Sequence, residues 1–449
     1  MRSMGLDALE KKIWEDLELL NYPPKPWRIE TEGVLDAAII GAGMAGLAAA
    51  FALLRLGVSK IQLFDENPPG KEGPWATYAR MKTLRSPKQW MGPAMHLPSL
   101  AYPSWHQAKF GKTSWETLGK IPTLLWMDYL TWYGKVLKLP IQNNTKLLSI
   151  HPGKPLELKF TGQTARAHKV ILATGRAGFG GPEIPDFMSN VPKKQWAHTN
   201  ETIDFSRLKG KRIGIIGAGP AGFDAAAAAL DHHAKSVDLH VRRERLPQVN
   251  KGRELFFRGC FSGYYGLDDE AKWNFACLTA DQGIPPPREA LERIASYPHF
   301  RFHPKTDMKT ILGKYDFLIL ATGLAIDGSK QPELKHLIDD ILLWKDKGFD
   351  DPPKMGNHPY LGPTFEFLEK KKGKAPHLEN IYCFNFGSRL SHSGLGTEIP
   401  PISFGAERLA EGIAADFFLQ DKVQYFERLK TFNTPEFQYD EFPFFHPQF

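Results

Sequence analysis

The chain has 449 residues, 42% apolar and 24% charged, with 57 Lys and Arg against 50 Asp and Glu for a formal net charge of +7. That length supports two or three domains, and so small an excess of positive charge does not mark a polyanion binder, so no nucleic-acid partner is expected. Cys260, Cys277 and Cys383 form no CxxC pair and no metal-ligand spacing, which excludes paired-cysteine reductase chemistry, predicts no metal and fits a reducing, cytoplasmic compartment.

Leu6, Leu9, Ile13, Leu17 and Leu20 recur at helical spacing until Tyr22-Pro23-Pro24 ends the run, predicting an amphipathic helix packed on the body of the protein. The N-terminus is too charged for a signal peptide. Residues 36–40 read as a buried parallel strand, 45–56 as its helix and 61–64 as the next strand. The apolar run 37–54 has the length of a membrane span, but its glycines spell strand, turn and helix, so no integral membrane segment is expected. A segment rich in tryptophan follows (Trp90, Trp105, Trp115, Trp126, Trp132), with a helix over 126–137. Its aromatics either fill core or wall a substrate pocket. Strands are expected over 147–160 and 169–173, the latter ending in Leu172-Ala173-Thr174-Gly175. A second unit has strands at 212–216 and 236–241 around a helix at 221–232, then a strand at 317–320 ending in Leu320-Ala321-Thr322-Gly323. A strand near 380–384 and a helix over 402–419 complete the order, and the basic run Lys370-Lys371-Lys372-Gly373-Lys374 reads as a solvated loop. The apolar tail Phe442-Pro443-Phe444-Phe445-His446-Pro447 is expected to dock on the body or on another subunit, which leaves a homo-oligomer open.

The two strand–helix units carry the same glycine pattern. The first is Gly41-Ala42-Gly43-Met44-Ala45-Gly46 and the second Gly217-Ala218-Gly219-Pro220-Ala221-Gly222. In such a loop the first glycine makes the tight turn, the second admits a pyrophosphate and the third lets helix and strand pack. The pyrophosphate then sits on a helix N-terminus. Counting 24 residues from the first glycine reaches Asp65 in one copy and Val241, followed by Arg242-Arg243, in the other. A carboxylate there binds ribose hydroxyls, with Glu66 the alternative one residue on, whereas arginines take a 2′-phosphate. The pattern predicts two dinucleotides in one chain, FAD in the first site and NADPH in the second.

These motifs resemble the flavin-containing monooxygenase superfamily over roughly residues 35–420. The resemblance implies an α/β fold with two Rossmann-like domains. An NADPH domain (205–326) is inserted in a discontinuous FAD domain (1–204 and 327–449). The family's GGxW segment is similar to Gly73-Pro74-Trp75, and its Leu-x-x-x-Pro segment to Leu84-Arg85-Ser86-Pro87-Lys88, which should lie against the flavin. The run from Met81 to Pro93 and Trp126-Met127-Asp128-Tyr129 look most like a bacterial lysine/ornithine N-monooxygenase-like subgroup, and His240-Val241-Arg242-Arg243 resembles the NADPH-binding segment of thioredoxin reductases. Ala173, Thr174 and Gly175 should border FAD, and Ala321, Thr322 and Gly323 should border NADP. The signature that ends near His198 is not matched, since Pro192, Lys194 and Thr202 stand at its Phe, Gly and aromatic positions. What the family implies is oxygen transfer from a flavin C4a-(hydro)peroxide to a small nucleophile, an amine nitrogen or sulfur first and a ketone second. No catalytic residue is assigned with certainty. Arg85 is a candidate contact to flavin or NADP⁺, and His198 either assists at the domain junction or caps a turn. Two alternatives stand beside this reading: electron transfer to a small acceptor without oxygen insertion, and a non-catalytic NADPH-sensing flavoprotein.

Overall fold

A computed structural model describes residues 5–442 and 444. The amphipathic run forms helix α1 (Leu6–Leu19), with Leu9, Ile13 and Leu17 buried and Leu20 exposed beyond its end. The first fingerprint lies between strand β1 (Leu35–Ile40) and helix α2 (Met44–Arg55), followed by β2 (Ile61–Phe64). The tryptophan-rich segment holds helices α3 (Tyr102–Phe110), α4 (Lys112–Thr117) and α5 (Thr123–Val136). Trp105, Trp126 and Trp132 are buried with Tyr102 and Tyr129, so these large rings fill core.

Next come β3 (Ile141–Gln142), β4 (Leu147–His151), β5 (Leu156–Phe160), β6 (Gln163–Leu172) and β7 (Gly180–Pro182). The single strand expected over 147–160 is a hairpin, because Pro152-Gly153-Lys154-Pro155 turns the chain. The second unit contains β8 (Trp196–His198), β9 (Arg212–Ile216), α6 (Pro220–Asp231), β10 (Ser236–His240), α7 (Arg258–Gly263), α8 (Asp269–Gln282), α9 (Arg288–Ala295), β11 (Phe300–His303), β12 (Phe317–Leu320) and β13 (Leu324–Ile326). The chain closes with β14 (Ile381–Tyr382), α10 (Arg389–His392), α11 (Ile402–Gln420) and α12 (Lys422–Thr431).

The first sheet runs β3-β2-β1-β6 with all four strands parallel. The far edge of β6 is shared: its first half pairs antiparallel with β5, and its second half pairs parallel with β14. Ala37 and Ile39 of β1 enter one core and Ala38 and Ile40 another, so both faces of the sheet are covered and β1 reads as a continuous apolar run. The small residues of α2 let α11 pack against it, which brings the C-terminal part back to the first fingerprint.

The second sheet is β11-β10-β9-β12-β8, wholly parallel. The antiparallel pair β7–β13 is where the chain passes from one sheet to the other and back. By strand pairing, β8 belongs to the second sheet, so the boundary expected after residue 204 falls within that unit. Nothing in the local sequence of Trp196-Ala197-His198 shows this, because the pairing partner, β12, is more than a hundred residues away. The pairing of β14 with β6 returns the C-terminal part of the chain to the first sheet. Pro443, Phe445, His446 and Pro447 of the apolar tail lie outside the described residues.

Candidate active site: a cleft at the first glycine loop

Each fingerprint is built against the Ala-Thr-Gly that follows a neighbouring strand. Ala173 N–H donates to the Ile40 carbonyl at 2.9 Å, and Ala321 N–H to that of Ile216 at 2.8 Å. The alanine carbonyl then presses on the first glycine. A Cβ on Gly41, at φ +99, would lie 2.6 Å from the Ala173 oxygen, and one on Gly217, at φ +106, 2.3 Å from the Ala321 oxygen. The third glycines are as confined: a Cβ on Gly46 would meet the Gly41 oxygen at 1.9 Å, and one on Gly222 the Gly217 oxygen at 2.3 Å.

The middle glycines differ in kind. A Cβ on Gly43 would find no protein atom nearer than 3.7 Å, and one on Gly219 none within 4 Å. The chain itself therefore does not require glycine there. The open space beside each fits a pyrophosphate on the N-terminus of α2 or α6. Ala45, Ala218, Pro220 and Ala221 complete the two turns, with Pro220 at the first position of α6, where its missing N–H costs nothing.

The first loop opens on a cleft of about 590 Å³. Gly41, Gly43, Met44, Ala45, Asp65, Glu66, Trp75, Leu84, Arg85, Ser86, Ala173, Thr174 and Gly175 all line it. Ala42 and Gly46 do not; Ala42 turns its N–H to Asp65, and Gly46 is buried under the loop. Among the parts of the wall that the sequence reading missed are Thr145–Leu147, Arg176–Gly178, Gln331–Glu333, the Gly396–Ile399 segment just before α11, and Asn200 with Thr202 from the second domain. Only Gly394-Leu395-Gly396 ahead of a helix gave a local signal.

Asp65 is buried at the end of β2. Its carboxylate accepts from Ala42 N–H at 2.8 Å, Asn67 N–H at 2.8 Å and Asn67 Nδ2 at 3.0 Å. A carboxylate has about four acceptor positions, so roughly one is left for a ribose hydroxyl. Asp65 thus closes the glycine loop as much as it faces the cleft. Glu66 points to the rim, paired with Lys146 at 2.9 Å.

In the second domain Val241 is buried at the strand end, and Arg242 and Arg243 follow it on the surface. Arg243 donates to the Asp281 carbonyl at 3.2 Å. Thr322 and Gly323 tie to the domain crossing: the Thr322 hydroxyl donates to the Glu183 carbonyl and Glu183 N–H to the Gly323 carbonyl.

Arg85 does more than line the cleft. Its guanidinium is bonded to Asp224, a buried carboxylate on α6 that burial pushes above its ordinary pKa against the pull of Arg85. Nearby, Arg80 donates to the carbonyls of Thr199 and Glu201, each at 2.6 Å, Lys82 pairs with Asp231 at 3.1 Å, and Thr83 donates to Glu289 at 2.5 Å. Residues 80–85 therefore fasten the first domain to the second domain's fingerprint helix. Desolvation draws the Arg80 guanidinium down to about 10. His198 is buried at the end of β8, where its Nδ1 accepts from Asn200 N–H at 3.1 Å and caps the turn. Burial pushes it down to about 4, so the ring is neutral near pH 7. It is Asn200 and Thr202, not His198, that reach the cleft.

Two glycine loops, a carboxylate under one and arginines at the strand end after the other, and a cleft at the first loop that Asn200 and Thr202 of the second domain also line, define a two-dinucleotide flavoprotein. The chain belongs to the flavin-containing monooxygenase superfamily and is a FAD-dependent monooxygenase. Residues 38–254 match the family described as pyridine nucleotide-disulphide oxidoreductase, although the three cysteines are free and form no disulfide pair among the described residues. The chain is 36% identical, across 97% of its length and 98% of the relative's, to a FAD-dependent urate hydroxylase of Xanthomonas campestris pv. campestris. Its fold is similar to the ornithine hydroxylase of Pseudomonas aeruginosa (TM-score 0.66, 15% identity, 85% of this chain and 99% of that one). It is also similar to the FAD-bound cadaverine monooxygenase of Erwinia amylovora (TM-score 0.64, 12% identity, 85% of this chain and 95% of that one). FAD and NADPH, the family's cofactors, match the two cradles. Among the described residues no helix is long and apolar enough to cross a membrane.

Proposed function

We propose that the chain is an NADPH-consuming, FAD-dependent monooxygenase that hydroxylates a small, planar, electron-rich heterocycle, urate or a close relative of it. The reaction balances as substrate, O₂, NADPH and a proton giving hydroxylated substrate, NADP⁺ and water. The observation that carries this reading is the shared cleft. Asn200 and Thr202, from the domain with the arginine-flanked loop, line the same space as Gly41, Gly43 and Asp65. The urate reading rests on the relative of similar full length, whose printed activity is on urate. The amine nitrogen or sulfur expected from sequence has support only from structures 12–15% identical, which share the fold.

Bound in the first cradle, FAD supplies hydride acceptance from NADPH and activation of O₂. The residues do the rest. Gly43 and the N-terminus of α2 hold the pyrophosphate, and Asp65 keeps the loop shut while offering its remaining lone pair to ribose. Trp75, Leu84 and Ser86 wall the cleft; Trp75 is set edge-on to Trp126 at 6.4 Å, and Leu84 is pinned through its N–H to the Ile121 carbonyl at 2.8 Å. Rigid apolar walls of this kind keep water from the reacting atoms. Arg242 and Arg243 select the 2′-phosphate, and the Arg80–Arg85 segment holds the two domains in register.

Mixing the FAD-loaded protein with NADPH without oxygen should bleach the flavin, and NADH should do so at least roughly tenfold less efficiently, as expected for loss of a charge-assisted contact. With ¹⁸O₂ and urate, one labelled oxygen should enter the product. Flavin that NADPH does not reduce sinks the coenzyme assignment. Brisk NADPH oxidation with peroxide formation and no labelled product, from urate or from an amine and sulfide panel, sinks the oxygenase reading.

A further inference from the structure

Helix α5 carries Trp126, Tyr129 and Trp132 three residues apart, so the three rings follow one another along one face. Ring centres are 5.1 Å apart from Trp126 to Tyr129 and 5.9 Å apart from Tyr129 to Trp132. At the inner end Trp126 lies 6.4 Å from Trp75, which lines the flavin cleft. Trp75 stands two residues after Gly73, whose Cα is the nearest protein atom to a Cβ built on Gly43. At the outer end Trp132 donates its indole N–H at 2.8 Å to the carboxylate of Glu10, a half-buried side chain on α1. Four oxidisable rings thus lead from the first cradle to a partly wetted carboxylate.

Filling core accounts for the rings but not for where their N–H groups go. The indole N–H groups of Trp126 and of Trp105, which packs beside Tyr129 and Trp132, are buried and meet no acceptor among the described residues. The Tyr129 hydroxyl donates at 2.8 Å to the Leu100 carbonyl, a group too weakly basic to take its proton. Trp132 differs from these three in donating to a carboxylate. Positive charge on a buried ring is costly without a counter-charge, whereas a carboxylate on the N–H stabilises that charge and can remove the proton. An electron vacancy placed on Trp126 is therefore drawn outward and held at Trp132.

We infer that Trp75, Trp126, Tyr129 and Trp132 form a path for single electrons between the flavin cleft and Glu10. The path rests on FAD occupying the first cradle and not on the identity of the substrate. A one-electron oxidant in the cleft takes an electron from Trp75. Trp126 refills Trp75, and Trp132 refills Trp126 across the Tyr129 ring. Trp132 then passes its N–H proton to Glu10 and remains as a neutral radical. In sum Trp132 loses one electron and one proton, the oxidant gains the electron and Glu10 the proton. An oxidant of the hydroxyl-radical class, formed where flavin meets O₂ and peroxide, becomes hydroxide in this way before it attacks the cleft wall.

Blue light turns bound, oxidised flavin itself into the one-electron oxidant, so the test needs no NADPH, O₂ or substrate. A laser flash on the oxygen-free, FAD-loaded protein should yield a tryptophan radical whose absorption changes from that of the cation to that of the neutral form. Trp126→Phe should lose the long-lived radical, with flavin content per chain reporting that the variant has folded. Glu10→Gln keeps an oxygen that accepts the Trp132 N–H but no base for its proton. There the radical should stay a cation and return its electron sooner, and this variant decides if Trp126→Phe fails to hold flavin. The path is overturned by a wild type that shows no tryptophan radical, by an undiminished long-lived radical in Trp126→Phe, or by a neutral radical of unchanged lifetime in Glu10→Gln. None of these results touches the oxygenase reading, which labelled-oxygen incorporation checks separately.

Discussion

The two cradles share a backbone and differ in how they close. Gly41 and Gly217 take the same left-handed turn against the same alanine carbonyl, and Gly46 and Gly222 meet the same backbone oxygen. At the strand ends the copies part. Asp65 is buried and bonded back into its own loop, inside a cleft walled by several separate parts of the chain. Arg242 and Arg243 lie on the surface. A buried carboxylate in an enclosed cleft suits a cofactor that stays; exposed guanidinium groups suit a coenzyme that binds and leaves. The comparison separates what a nucleotide loop needs for its own folding from what it needs for its ligand.

Alanine substitutions along the loops would break that comparison most sharply. Gly46→Ala places a methyl group on a backbone oxygen, so it should cost more than about 3 kcal/mol of stability and abolish flavin binding. Gly43→Ala meets no protein atom closer than 3.7 Å. It should leave the unfolding free energy of the flavin-free protein within about 1 kcal/mol of wild type yet weaken FAD at least roughly tenfold. A Gly43→Ala protein as unstable as Gly46→Ala would show that the middle glycine serves the fold and not the ligand. Gly219→Ala should keep its flavin and lose NADPH affinity.

Next in size is the joint between the cradles. Arg85→Ala leaves the buried Asp224 carboxylate without its partner and should cost roughly 3 kcal/mol, while Arg85→Ala with Asp224→Asn should recover much of it. Urea melts of the two single variants and the double variant measure the coupling. Additive losses would mean that the contact does not hold the domains.

The coenzyme arginines come third. Replacing Arg242 and Arg243 together by alanine should raise the NADPH dissociation constant tenfold or more, about 1.4 kcal/mol or above, with little change for NADH. Equal losses for both coenzymes would remove the contrast with Asp65.

The smallest effect is in acid. His198 and His240, at strand ends of the second sheet, are both held down to about 4 by burial. The unfolded chain binds more protons than the folded one between about 4 and the ordinary histidine value near 6.5, so their contribution is present above that window and lost as pH falls through it. The melting temperature should therefore drop between pH 6.5 and 4.5. His198→Asn, whose side-chain oxygen can still accept from Asn200, should flatten that drop slightly; an unchanged slope would mean that His198 is not titrating there.

Much of this was legible before any coordinates. Glycine spacing and the strand–helix alternation are local, and each glycine answers to atoms a few residues away or to the next Ala-Thr-Gly, so both loops and their strands could be placed from sequence. The positions of Asp65 and of Arg242-Arg243 at their strand ends were readable because the distance from first glycine to strand end is set by one strand, one helix and a turn. Contacts between distant segments were not readable. That β8 joins the second sheet, that Arg85 clasps Asp224, that His198 caps a turn while Asn200 reaches the cleft, and that Gly396–Ile399 returns beneath the first loop all depend on packing between residues far apart in the chain. Local pattern sets the elements because hydrogen bonding and burial act over a few residues. The site's walls and the domain joint exist only once the whole chain has folded and its remote segments have excluded water between them.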